Sequence, residues 1–216
     1  MDEREAKLRT AGEGPEPQGS RFDTEARHLL LRIARDAIEA AVRGRPPPRL
    51  PEPLPDVLRA PLGAFVTLET AGTGRLRGCI GQMGAPPGET LASVVQHAAR
   101  SAALADPRFP PVQPEELDGL RVEVTVLGPM RPIDGPEQVR IGRNGLLVAH
   151  GGRRGVLLPQ VATRYGWDAE TFLEQTALKA GLPPEAWRWP GAERYAFEGW
   201  KIREAERSDA EDSART

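Results

Sequence analysis

The stretch RLRGCIG (75–81) holds the chain's one cysteine, Cys79, two residues after Arg77. In a strand, alternate residues share a face. Arg75, Arg77, Cys79 and Gly81 are therefore expected on one side, and Leu76, Gly78 and Ile80 on the other, with Leu76 and Ile80 turned to the core. A guanidinium beside a thiol favours the thiolate, and its planar fork suits bidentate capture of an anionic group. Gly78 and Gly81 cost strand propensity and are expected where something must approach the backbone closely. Against a nucleophile stands the commoner fate of a lone cysteine, a small buried hydrophobe, and no histidine lies next to it in sequence to act as base.

The other dense stretch is DPRFPPVQPEEL (106–117). A helix must end before Pro107, and the prolines that follow stiffen a loop presenting Arg108 and Phe109. Such a pair suits recognition, and Phe109 equally suits plugging the core. Glu123, on the polar side of LRVEVTVLG (120–128), is a candidate proton acceptor. GGRRG (151–155) reads as a hairpin turn before it reads as a phosphate nest. AGTGRLRG lacks the glycine spacing of a dinucleotide fingerprint, and a strand follows it, so no cofactor is expected. His28, His97 and His150 are far apart and show no ligand spacing, so no metal site is expected either.

These residues need a scaffold, and the chain is punctuated clearly enough to outline one. Asp23 or Thr24 can cap a helix whose apolar residues fall at Leu30, Ile33, Ala34, Ala37, Ile38 and Ala41. It stops at Gly44, and RPPPRLPEPLP (45–55) reads as an extended linker. GAFVTLET, AGTG and RLRGCIG form a β-hairpin. ETLASVVQHAARSAALAD is a second helix, and LRVEVTVLG alternates as a half-buried strand with Val122, Val124 and Val126 inward. A second hairpin occupies GLLVAHGGRRGVLLP. A short turn then leads to a helix from DAETFLEQTALKAG, capped by Asp168 and closed near Gly181. RYAFEGWKIRE is the last strand. Helices set between hairpins define an α+β fold with a mainly antiparallel sheet and flanking helices. Residues 1–21 and 204–216 lack periodicity and read as a disordered leader and tail around one domain over 22–203.

The 216 residues carry 29 basic and 31 acidic side chains, a formal charge of −2. That balance gives no reason to expect nucleic-acid or anionic-membrane binding. No apolar run is long enough to span a bilayer, and the N-terminus has no signal-peptide pattern. With one free thiol, a reducing, cytoplasmic location is expected.

Four stretches, LRGCIG (76–81), DPRF (106–109), LPQV (158–161) and KAGLP (179–183), stand in the order and spacing of AMMECR-type domains. The chain resembles that family from about Phe22 to Ile202. The resemblance implies a two-part fold, a larger unit plus a small subdomain, with the signature strand at the cleft between them. It carries over to Leu76, Arg77, Gly78, Cys79, Ile80, Gly81, Asp106, Arg108, Gln160 and Lys179. Many members have a second cysteine where this chain has Ala177, so any shared mechanism must do without a cysteine pair. Similar bacterial and archaeal proteins are labelled protein A of the AmmeMemoRadiSam system. Their genes accompany those of a Memo-like protein and a radical SAM protein, which implies both as partners.

The resemblance brings no established reaction. An enzyme here would use Cys79 as nucleophile or substrate-contacting thiol and Glu123 as proton acceptor. Arg77, Gly78, Gly81, Arg108 and Gln160 would hold a small anionic ligand. An interaction module would instead take a partner's peptide along the same strand by close backbone approach. The residues alone leave both open.

Overall fold

A computed structural model describes residues 21–205, so residues 1–20 and 206–216 of the expected leader and tail lie outside the described residues. In chain order the elements are α1 (Thr24–Val42), α2 (Asp56–Arg59), β1 (Leu62–Thr70), β2 (Arg75–Gly84), α3 (Leu91–Leu104), β3 (Leu120–Leu127), β4 (Arg131–Pro132), β5 (Asn144–His150), β6 (Arg153–Leu157), α4 (Pro159–Tyr165), α5 (Ala169–Lys179) and β7 (Glu193–Arg203). The strands form one curled antiparallel sheet, a half-barrel in the order β2-β1-β3-β7-β5-β6, with β4 beside β7. The fold class is α+β, as the alternation of hairpins and helices predicts.

The expected helix ends are present. Asp23 accepts from the Ala26 N–H at the start of α1 and Asp168 from the Thr171 N–H at the start of α5, each satisfying one of the donors that a helix start leaves unpaired. The linker 45–55 is non-helical. One segment read as a short turn is instead the helix α4. Pro159 sits at its first turn and Gly166, at φ +65°, closes it in the left-handed conformation, a pairing of signals that suits a helix.

Two apolar clusters lie against the sheet. The first packs α1 and α3 on β1 and β3 through Leu30, Ile38, Val66, Leu68, Val95, Val122 and Val124. The second gathers Leu146, Val148, Phe172, Leu173, Ala177 and Trp187 around α5. β7 joins them: residues 199–203 pair with β3, and 193–198 pair with β5.

The expectation that β3 is half-buried needs correction. Glu123 and Thr125, on the face away from α1 and α3, are as buried as the valines. Leu127, Leu147 and Phe197 are buried too, although they belong to neither cluster. A curled sheet shelters its own far face, and that shelter was invisible in an alternating pattern.

Candidate functional site

β2 is an edge strand, paired on one side with β1 through Ile80–Val66, Cys79–Thr67 and Gly78–Leu68. Register then slips: Leu76 pairs with Glu69, and Arg77 is the extra residue of a β-bulge. A bulge moves every following side chain to the opposite face. Arg77 and Cys79 therefore do not share a face as the alternation predicts. Leu76 takes that place and is 43 % exposed instead of joining the core, whereas Ile80 does pack against the first cluster.

Arg77 turns instead toward the loop after α3. Its Nε and Nη2 donate to the two carboxylate oxygens of Glu116 at 2.7 and 2.9 Å, and its Nη1 to the Pro110 carbonyl at 3.0 Å. Glu116 also accepts from the Gln113 N–H at 2.8 Å. The Arg77 hydrogen bonds hold the Glu116 carboxyl below its ordinary range, against a smaller opposing effect of burial. The bidentate contact that the sequence reserves for a ligand is thus made inside the protein. Arg77→Ala is expected to cost about 1–3 kcal/mol, read as a lower urea midpoint at unchanged slope. An unaltered midpoint would return Arg77 to the pool of ligand contacts.

The peptide of Cys79 points away from β1. Its N–H donates to Asp106 Oδ2 at 2.8 Å, and its carbonyl accepts from Arg108 Nη2 at 3.1 Å. The buried Asp106 in turn takes the Arg108 backbone N–H at 3.1 Å, Nε at 2.9 Å and Nη2 at 2.7 Å. Those side-chain bonds from Arg108 hold the Asp106 carboxyl far below the usual carboxylate range, and Asp106 raises the guanidinium reciprocally. The DPRF segment therefore closes one donor–acceptor pair of the open edge, as a neighbouring strand would. Phe109 is half-buried with the Arg108 guanidinium 5.6 Å from its ring centre.

Because both peptide groups of Cys79 face outward, Thr67–Cys79 is a non-hydrogen-bonded cross-strand pair, the kind whose side chains lie closest. Thr67 Oγ1 is 3.3 Å from the half-buried Cys79 Sγ. Thr67 also pairs with Glu123 on its other side, so roughly 10 Å of sheet separates Cys79 from Glu123. Glu123 Oε2 takes Arg203 Nε at 2.8 Å and Lys201 Nζ at 3.0 Å.

The two glycines have packing reasons. A Cβ on Gly78 would stand 2.3 Å from the Ala102 carbonyl of α3, and one on Gly81 would stand 2.5 Å from the Phe65 ring. What comes close to this strand is the protein itself. Gln160 is exposed in the first turn of α4, next to Pro159, which lies against Gly199. Gly199 pairs with Leu127, three strands across from β2, so Gln160 is not gathered with Cys79. Ala177 is buried in the second cluster on α5, the helix whose Thr176 and Lys179 backbone lies over Gly155 of the opposite edge strand β6. GGRRG is a hairpin turn with Gly151 and Gly152 at positive φ. Among the described residues no group of three or more metal-ligating side chains forms, and no helix is long and apolar enough to cross a membrane.

Thr67 and Glu116 escaped the sequence reading. The AGTG turn pairs Thr70 with Arg75, a register that alone would oppose Thr67 to Gly78; the bulge at Arg77 opposes Thr67 to Cys79 instead, so the turn length does not reveal that partner. Nothing in the spacing signals that Glu116 meets Arg77 across 39 residues.

An α+β half-barrel whose edge strand carries LRGCIG and is clamped by DPRF is the class of protein defined so far. The AMMECR1 family profile matches residues 31–202, and the chain belongs to that family. A protein of Methanothermobacter thermautotrophicus is 51 % identical over 175 residues, covering 78 % of this chain and 89 % of that one. One from Thermococcus gammatolerans is 46 % identical over 185 residues, 82 % of this chain and 89 % of its own. The crystal structure of the uncharacterized protein PH0010 from Pyrococcus horikoshii superposes with a TM-score of 0.76 at 39 % identity, covering 86 % of this chain and 94 % of that chain.

Proposed function

We propose that the protein is a recognition module that takes an extended segment of a partner protein along the outer edge of β2. The observation that carries this is the state of that edge. Every second residue of β2 turns its N–H and C=O outward, namely Cys79, Gly81 and Met83. Cys79 is closed by Asp106 and Arg108, whereas no described residue bonds the outward groups of Gly81 and Met83. A row of unpaired peptides is a template for strand addition, and the clamp at Cys79 sets where an incoming strand must stop. The half-buried thiol and the Arg108 side chain lie at that stop and would read the end of the guest.

The partners that fit are the Memo-like and radical SAM proteins whose genes accompany those of similar proteins, in a cytoplasmic AmmeMemoRadiSam assembly with this chain as protein A. Met83→Pro removes one outward N–H and leaves the β1 ladder intact, a substitution that edge strands tolerate. It is expected to weaken capture of those two partners about tenfold or more, with the melting temperature nearly unchanged. Full affinity in a folded Met83→Pro protein would sink the reading.

A second reading keeps Cys79 as a reactive thiol and Glu123 as proton acceptor at a site for a small anionic ligand. It draws on the accessibility of the thiol face and on Arg108, whose side chain is 54 % exposed. A thiolate-selective probe at neutral pH separates the two, because a strand-adding module has no need of a reactive cysteine.

A further inference from the structure

The face of β1, β3 and β7 turned away from α1 and α3 carries a charge network. Glu69 accepts from Arg121 Nη2 at 2.9 Å and from Arg203 Nη2 at 3.2 Å. Glu123 accepts from Arg203 Nε and Lys201 Nζ. Three cations thus stand over two carboxylates, and the charge is sorted by depth. The Glu123 and Glu69 side chains are 7 % and 17 % exposed, and Arg121 is 11 % exposed. Lys201 and Arg203 are 47 % and 39 % exposed. The inner layer of Glu123, Glu69 and Arg121 is net negative, and the two outer cations, Lys201 and Arg203, more than balance it.

The two outer cations keep donors to spare. Lys201 Nζ has three protons and one acceptor, Glu123, among the described residues. Arg203 spends Nε and Nη2 on the carboxylates, and no described acceptor takes its Nη1. The carboxylates beneath hold both heads in place, so less side-chain entropy remains to be lost when a ligand arrives. The buried Glu123, Thr125 and Leu127 show that this face is sheltered.

We propose that Lys201 and Arg203 form a binding site for a phosphate group, free or as the monoester end of a small molecule. The free Nη1 of Arg203 and the remaining Nζ protons of Lys201 are charged donors that can each take a phosphate oxygen. The register gives such a ligand a direction. Arg203, Glu123, Thr67 and Cys79 form one row across four strands, and Lys201, Thr125, Phe65 and Gly81 form the next. A monoester anchored at Lys201 and Arg203 would lay its body over Thr67 and Phe65, with the Cys79 thiol about 14 Å from the anchor. The site lies on the sheet face and the strand-adding edge is separate, so this inference does not depend on the proposed function.

The test is calorimetric titration of the full chain with inorganic phosphate and with phenyl phosphate, at constant ionic strength. Saturable binding of both is expected. Tighter binding of phenyl phosphate identifies an organic monoester as the ligand class, and equal binding identifies free phosphate. Lys201→Gln should raise Kd about tenfold, and Lys201→Arg should restore it. Glu123 keeps Arg203 in either variant, so folding is preserved and circular dichroism checks it. Met83→Pro should leave phosphate binding unchanged. No saturable binding of either probe, or the same Kd in folded Lys201→Gln, would overturn the proposal.

Discussion

Gly78→Ala is expected to destabilise the protein by about 3 kcal/mol or more, although it adds a single methyl group. The new Cβ would stand 2.3 Å from the carbonyl oxygen of Ala102 and 3.2 Å from its carbonyl carbon. Both are backbone atoms of α3, so no side-chain rotation relieves the overlap, and either the helix or the edge strand must move. α3 is bound into the first core through Val94, Val95, Ala98 and Ala99, which makes the strand the part that yields. Its displacement would pull the Cys79 peptide off Asp106, so stability and partner capture should fall together. Gly84→Ala, on the same strand with nothing within 4 Å of its Cβ position, should be neutral within about 0.5 kcal/mol. Chemical denaturation of the two variants side by side is the measurement, and equal midpoints would refute the close-approach account.

That prediction turns on a feature the sequence made only half visible. Two glycines in a strand announced a close approach, but what approaches Gly78 is set by how α3 crosses β2, which is a tertiary matter. Periodicity and punctuation carried the main elements: α1 with its Asp23 cap, both hairpins, α5 with its Asp168 cap, and β7. They failed where a single residue changed the count. One bulge at Arg77 exchanged the faces of Leu76 and Arg77, because a period of two has no tolerance for an inserted residue. α4 was read as a turn, although Pro159 at its start and Gly166 at its end are the marks of a short helix.

The candidate site was legible in kind and not in assignment. Alternation sets Arg77 and Cys79 together on the side away from the core and offers the arginine to an anionic group. Glu116 takes it instead, from 39 residues away, and Asp106 does the same for Arg108. Arginines introduced as ligand contacts thus fasten a loop to a strand. The cations with donors to spare, Lys201 and Arg203, carry no local signature in RYAFEGWKIRE. Only the pairing of β7 with β3 sets them over Glu123. Glu204 likewise lies in the stretch read as tail, yet its carboxylate accepts from Arg35 and from the Val122 N–H.

Asp106→Asn should be the second large effect, a loss of about 2–3 kcal/mol at neutral pH. The carboxylate receives four hydrogen bonds, one from Cys79 and three from Arg108. An amide keeps one oxygen and turns its NH₂ donors toward a guanidinium that can only donate. The pH dependence gives a sharper check. Asp106 titrates lower in the folded protein than in the unfolded chain, chiefly because Arg108 donates to it and in spite of its burial. Its stabilising contribution is therefore complete above the unfolded carboxylate value of about 4 and is lost as pH falls through the folded one. The wild-type protein should lose stability steadily on acidification below about pH 4. The variant should start lower and show a shallower acid slope, with Glu116 accounting for part of what remains. The same substitution would release the Cys79 peptide and lengthen the open edge from two outward residues to three. A guest strand would then lose its stop, and partner capture should become less selective in register even where the protein stays folded. An acid slope identical to wild type would show that Asp106 does not hold the strand through its charge.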